Sequence, residues 1–144
     1  MARDELFHFL RERSADQAHF DILSVPCGIP REFVAAVEKF RAAGGVTGGI
    51  RFHLLDLDDD VLRQATTFAC QHGITLTTHH GDALDPGTYA GEFDFITSTG
   101  LGEFLDDEQL ASLYAVFNRV SRPGGVMVTS AMRGLRGLVA SRRW

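Results

Sequence analysis

The sequence predicts an α/β fold, a mostly parallel sheet with helices on both faces. Three observations lead there. Short apolar runs of strand length alternate with longer stretches of helical periodicity along the whole chain. Each stretch between two such runs is long enough for a crossover, which parallel pairing requires and a hairpin does not. The chain has 144 residues, of which 44% are hydrophobic and 23% charged, the size and composition of one soluble globular domain.

The elements follow in chain order. Residues 1–19 read as a leading helix, with Leu6, Phe7, Leu10 and Ala18 at roughly helical spacing. Phe20–Val25 is a short apolar strand ended by Pro26 and Gly28. Pro30 then suits the first turn of a helix, where a missing N–H costs nothing; Phe33, Val34, Val37 and Phe40 form its apolar stripe, and Gly44-Gly45 stops it. Ile50–Leu57 is a second strand, and Asp58 or Asp59 caps a helix carrying Val61, Leu62, Ala65, Phe68 and Ala69. The threonine-rich Ile74–His79 is a third strand and Glu92–Ser98 a fourth. Asp106 or Asp107 caps a last helix with Leu110, Leu113, Tyr114, Phe117 and Val120 inward, and Pro123-Gly124-Gly125 turns the chain into a fifth strand, Val126–Ser130.

Composition narrows the function. Residues 1–108 hold eight basic and nineteen acidic side chains, a net −11, whereas residues 109–144 hold six arginines and no acid. Those arginines are not interleaved with aromatics and sit on no recognition helix, so a nucleic-acid partner is not expected. No apolar run approaches the ~18 residues a membrane span needs, and Met1–Leu10 lacks a signal-peptide pattern, so neither a membrane partner nor secretion is expected. Cys27 and Cys70 lie far apart without CxxC spacing, which suits a reducing cytoplasm. No HExxH or paired Cys/His spacing marks a metal site, and no GxSxG elbow marks a hydrolase.

Sheets of this kind bind ligands at the carboxyl ends of their strands, near the point where strand order reverses. The turn Ser24–Glu32 after the first strand lets a ligand approach the backbone, with a helix N-terminus behind it. Asp56, closing the second strand, can either accept hydrogen bonds from a ribose diol or serve as a helix cap. His79 and His80 at the end of the third strand can be read as a base near an oxygen nucleophile or as a polar strand end. Two other nucleotide or phosphate readings fail on single residues. A nicotinamide fold wants G-x-G-x-x-G where Gly28-Ile29-Pro30 stands, and a phospho-receiver needs a lysine after strand five, whereas the chain's one lysine is Lys39.

Taken in order, the glycine-containing turn, Asp56-Leu57-Asp58, Gly81-Asp82-Ala83, Phe93-Asp94-Phe95-Ile96 and Arg122-Pro123-Gly124-Gly125 closely resemble class I S-adenosylmethionine-dependent methyltransferases, from about Asp21 to Ala131. Gly100–Asp107 is similar to a bacterial subgroup in which GL-x-(D/E)-(Y/F)-L follows strand four. The resemblance implies a Rossmann-like three-layer sandwich with strand order 3-2-1-4-5 and S-adenosyl-L-methionine as cofactor. It implies that Ser24, Pro26 and Gly28 face the methionine part, Asp56 holds the ribose, Leu57 lies on the adenine, Asp82 with Ala83 receives the adenine amino group, and Ser98 and Thr99 flank the sulfonium. The chain departs from the family's acidic-x-Gly-x-Gly-x-Gly motif, with Ser24 in place of the acid and Pro26 and Pro30 in place of two glycines. The expected activity is methyl transfer to a small-molecule or lipid-like acceptor; the alternative is a module that binds cofactor without catalysis, or that regulates. Catalytic residues are not assigned.

One domain is expected over residues 1–144, with 20–131 as its core and 132–144 as a C-terminal segment. Family members continue past strand five into a helix and an antiparallel strand pair, so a five-strand sheet lacking those last two strands is expected. The uncharged run Val126-Met127-Val128-Thr129 would then be a bare edge, and self-association as a homodimer through it is expected unless Leu135–Trp144 folds back as a cover.

Overall fold

The computed structural model describes residues 2–14, 19–25, 30–98, 101–131 and 138–143. Its six strands are β1 (Phe20–Ser24), β2 (Ile50–Asp56), β3 (Leu76–His80), β4 (Phe93–Ser98), β5 (Ser121–Ala131) and β6 (Leu138–Arg143). Four α-helices join or precede them: α1 (Ala2–Arg13), α2 (Arg31–Ala42), α3 (Asp59–Gln71) and α4 (Asp107–Val120). The sheet order is β3-β2-β1-β4-β5-β6; the first five strands are parallel, and β6 runs antiparallel to β5.

Alternation along the strands sorts side chains into two apolar layers. Phe20, Ile22, Phe52, Leu54, Phe95 and Val126 face α1, α2 and α3, whose apolar stripes cover them. Leu23, Leu55, Ile96 and Met127 face the other way, against Leu113, Val116 and Phe117 of α4. Phe9 ties the first layer together, its ring 5.5 Å from Phe20 and 5.2 Å from Phe95. Lys39 lies with Nζ 4.3 Å from the centre of the Phe7 ring, so the only lysine holds α2 against α1.

Local signals set most boundaries. The Asp58 side chain accepts the Asp60 N–H to start α3, and Asp106 with Gln109 forms a reciprocal capping box on α4. Beyond shifts of a single residue, four features differ from the sequence reading. The first helix is described only to Arg13, and β3 starts at Leu76 and runs through His80. Pro123-Gly124-Gly125 does not precede β5 but lies inside it, where the β4–β5 register breaks between Phe93 and Phe95. Glycine is required at that break: a Cβ on Gly125 would sit 2.9 Å from the Arg122 carbonyl oxygen. The fourth difference is β6. It pairs with β5 along Val126–Ala131, so the sheet gains one antiparallel strand and the edge expected to drive self-association is already paired. The physical reason is local: unpaired groups of an uncharged strand capture a nearby segment of their own chain first.

A polar cluster crosses the sheet on its α4 face. Asp21 of the central strand is 5% exposed. Its Oδ1 accepts from His53 Nε2 (2.9 Å) and Arg51 Nε (2.9 Å), and its Oδ2 from Arg122 Nη2 (2.8 Å). Arg122 Nη1 donates to Asp94 Oδ2 at 2.5 Å, and the same oxygen accepts the Asp21 backbone N–H at 2.8 Å. His53 Nδ1 lies 3.0 Å from Nε2 of buried His79, which extends the chain of contacts to β3. Burial alone would raise the Asp21 carboxyl, but hydrogen bonds from His53, Arg122 and Arg51, with the charge of Arg51, bring it below its ordinary value. Burial, then the proximity of His53, lowers His79.

Two outcomes follow for stability. Asp21→Asn should cost about 3 kcal/mol in chemical denaturation, the lower end for a broken buried pair because Arg51 and Arg122 still reach water. A depressed carboxyl stabilises fully above its unfolded pKa and loses that contribution as pH falls through the folded value, so the gap between parent and Asp21→Asn should be constant from pH 7 to about 5 and close below about 4. His79 is also depressed, so its contribution is full above its unfolded value of 6.5 and lost as pH falls through the folded value. His79→Gln should therefore flatten the decline in stability below about pH 6.5, measured as urea midpoint against pH.

Candidate functional site

The carboxyl ends of β2 and β3 open into a cleft of about 140 Å3. Leu55, Leu57, Leu84, Leu101 and Leu105 supply apolar walls, and Asp56 and Asp82 bring two carboxylates to it. A pocket for a whole small molecule is usually ~300–1,000 Å3, so this one takes one flat end of a ligand. Leu57 is 71% exposed and puts an apolar surface at the rim.

Each carboxylate is aimed by its own backbone. Asp56 Oδ1 accepts the N–H of Asp58, and Asp82 Oδ1 accepts that of Leu84, both at 2.9 Å. These short-range bonds fix the side-chain rotamers where the chain leaves the sheet. The segment bearing Asp82 is held at three further points. Gly81 N–H donates to the Asp56 carbonyl at 3.1 Å, linking the two acid-bearing turns. A Cβ on Gly81 would meet the Thr88 side chain at 2.7 Å, so the turn closes only with glycine there. Tyr89, 8% exposed, donates its hydroxyl to the Ala83 carbonyl at 2.6 Å. Burial, then the charge of Asp82, raises that hydroxyl above its ordinary value, so it stays a donor at any physiological pH.

Of the residues singled out from the sequence, Asp56, Leu57, Asp82 and Ala83 share this cleft. Ser24 and Ser98 stand at the carboxyl ends of β1 and β4, one strand and two strands over from β2. Ser98 is buried beside Thr129, and Ser24 is half-buried beside Thr97. Pro26, Gly28 and Thr99 lie outside the described residues. The histidines part company. His80 Nε2 donates to the Leu57 carbonyl at 2.9 Å and so braces the cleft rim, while His79 turns into the Asp21 cluster. Neither is thereby placed as a base. Sequence reasoning missed Tyr89, Leu84, Leu101 and Leu105; the last two lie in the Gly100–Asp107 run it had noticed, which carried no signal of the strand ends they approach.

The cleft offers apolar walls and two carboxylates as hydrogen-bond acceptors. Comparison with known proteins identifies the family. A family model described as "Methyltransferase domain" matches residues 22–125. Nocamycin O-methyltransferase of Saccharothrix syringae is 29% identical over 106 residues, which cover 73% of this chain and 35% of that protein. Among solved structures, an S-adenosylmethionine-dependent methyltransferase from Clostridium acetobutylicum superposes with a TM-score of 0.63 at 17% identity, covering 88% of this chain and 49% of that one. DesVI of Streptomyces venezuelae gives 0.62 at 23%, covering 90% and 49%. These two likenesses are of fold. The chain spans about a third of the curated relative and about half of each of these two solved structures. With the family match over most of its length, a sheet in the order 3-2-1-4-5 and a two-carboxylate cleft at the strand ends, the chain belongs to the class I S-adenosylmethionine-dependent methyltransferases.

Proposed function

We propose that the chain binds S-adenosylmethionine across the carboxyl ends of β1, β2 and β3 and directs its methyl group to a small-molecule acceptor. The observation that carries this reading is the cleft in which Asp56 and Asp82 flank a leucine-lined slot. In it, Asp56 takes the ribose hydroxyls, Leu57 covers one face of the adenine, and Asp82 with the Ala83 backbone receives the adenine amino group. Ser24, Pro26 and Gly28 meet the methionine end, and Ser98 and Thr99 line the approach to the sulfonium. Ser24 offers a neutral acceptor to the ammonium group where an acid is usual, a weaker bond than a charge-assisted one.

The bound cofactor supplies an intrinsically electrophilic methyl group. What the protein adds is alignment and exclusion of water, and alignment alone can lower a barrier by ~7–11 kcal/mol. The rotamer-fixing bonds on Asp56 and Asp82 and the Tyr89 brace serve that end, because they set the cleft before ligand arrives. A small-molecule acceptor is supported by the name of the Saccharothrix syringae relative, an O-methyltransferase of nocamycin. A reducing cytoplasm is supported by the wide spacing of Cys27 and Cys70, which form no CxxC pair.

Calorimetric titration with S-adenosylhomocysteine tests the reading without knowledge of the acceptor. Saturable one-site binding is expected. Asp56→Ala should weaken it by ~1.5–3 kcal/mol, roughly ten- to a hundredfold, through loss of charge-assisted bonds to the diol. Asp82→Asn, which keeps an acceptor but loses the charge, should cost about 1 kcal/mol. Absence of binding by the folded parent chain, or full affinity in Asp56→Ala, refutes it.

A further inference from the structure

The sheet has two outer edges, β3 and β6, and they are built differently. The sequence of β6 includes Arg142 and Arg143. Ile74–Gly81 around β3 carries no acid, lysine, arginine or proline, and among the described residues no strand pairs with its outer side. Such an edge is a template for another strand. The backbone phase says which groups it offers. Gly81 N–H bonds inward to Asp56 of β2, so by alternation Thr77 and His79 also face β2, and Leu76, Thr78 and His80 turn their N–H and C=O groups outward.

We propose that the chain pairs with a second copy of itself along β3, antiparallel, about a two-fold axis at Thr78. In that register Thr78 faces its own counterpart and Leu76 faces His80, so all six outward groups are used in hydrogen-bonded pairs. The helices meet as well. α3 packs on both β2 and β3, so its axis lies near the line between them. Two copies then bring their α3 axes about two strand spacings apart, ~10 Å, the distance at which helices pack. The heights also match. Thr66 and Thr67, at the middle of α3, line one shallow groove of about 310 Å3 with Thr78, so the centre of the helix and the proposed axis coincide. A second groove of about 340 Å3 runs on past Phe68 to Gln71, ready to take side chains of the other helix.

The helix dipoles favour the antiparallel arrangement, because a two-fold axis sets the amino end of one α3 beside the carboxyl end of the other. Within each copy Arg63 already pairs with Asp59 at 2.7 Å and with Asp60, so the first turn adds little free charge to the contact. An extended peptide would find the backbone groups but no deep side-chain pockets, which strand addition uses for specificity. The interface would also reach the cleft, because His80, its last paired residue, precedes Gly81 and Asp82.

Sedimentation of the full chain from 1 to 300 µM, with amide exchange at both extremes, tests this. The parent should approach twice 15.8 kDa. The amides of Leu76, Thr78 and His80 should become at least tenfold better protected at high concentration, while those of Thr77 and His79 stay unchanged. Thr78 and Thr67 are both exposed, so Thr78→Lys and Thr67→Glu should fold, by circular dichroism, and each should raise the dissociation constant at least tenfold. If Thr78→Lys does not fold, Thr67→Glu decides alone. A 15.8 kDa species throughout, a dimer indifferent to the folded variants, or exchange at the three amides independent of concentration overturns the proposal.

Discussion

A carboxylate buried in the middle of a sheet constrains everything around it. Asp21 sits on the central strand and is nearly inaccessible, so its charge must be met within the protein. Arg51 and His53 come from one neighbouring strand, Arg122 from the strand beyond the other, and Asp94 shares the Arg122 guanidinium. Desolvation of the ions offsets much of their attraction, so the cluster adds less to net stability than its many contacts suggest. What it does set is register. A slip of one residue in β1 would carry the carboxylate to the face of Phe33, Phe52 and Val37, where no cation waits.

That arrangement divides the sheet between two roles. The α4 face carries the ion cluster, which runs from Asp21 near the amino end of β1 to His79 near the carboxyl end of β3. The carboxyl end is left to turns whose polar groups are satisfied locally, by Asp56 on Asp58, Asp82 on Leu84 and Tyr89 on Ala83. One part holds strands together, and the other presents cleft-lining groups on braced backbone. His79 and His80 are adjacent on one strand but lie on opposite faces of the sheet, one in the ion cluster and the other bracing the cleft rim.

The edges of the sheet obey the same economy of unpaired groups. The Val126–Ala131 stretch of β5 is uncharged, and its own chain returns to cover it. β3 is uncharged too, and its outward amides have no such cover among the described residues. The difference lies in connectivity, because β3 enters and leaves through α3 and the Asp82 turn, both of which fold back over the sheet rather than along its rim.

The sequence by itself determined the element order, the parallel sheet and the acids at two strand ends, because these rest on short-range signals. Helical and strand periodicity, the caps at Asp58 and Asp106, and the turn acids Asp56 and Asp82 all act within a few residues of where they stand. Only the tertiary structure decided which residues meet. Asp21, His53, His79 and Arg122 are separated by up to 101 positions, and nothing in any one of their surroundings marks them as partners. The same holds for Tyr89 and Leu105, which join the site because loops converge there, and for β6, whose pairing depends on β5 lying within reach. A strand-end histidine has the same local sequence whether it faces a ligand or a buried carboxylate, and the choice is made by the strands beside it.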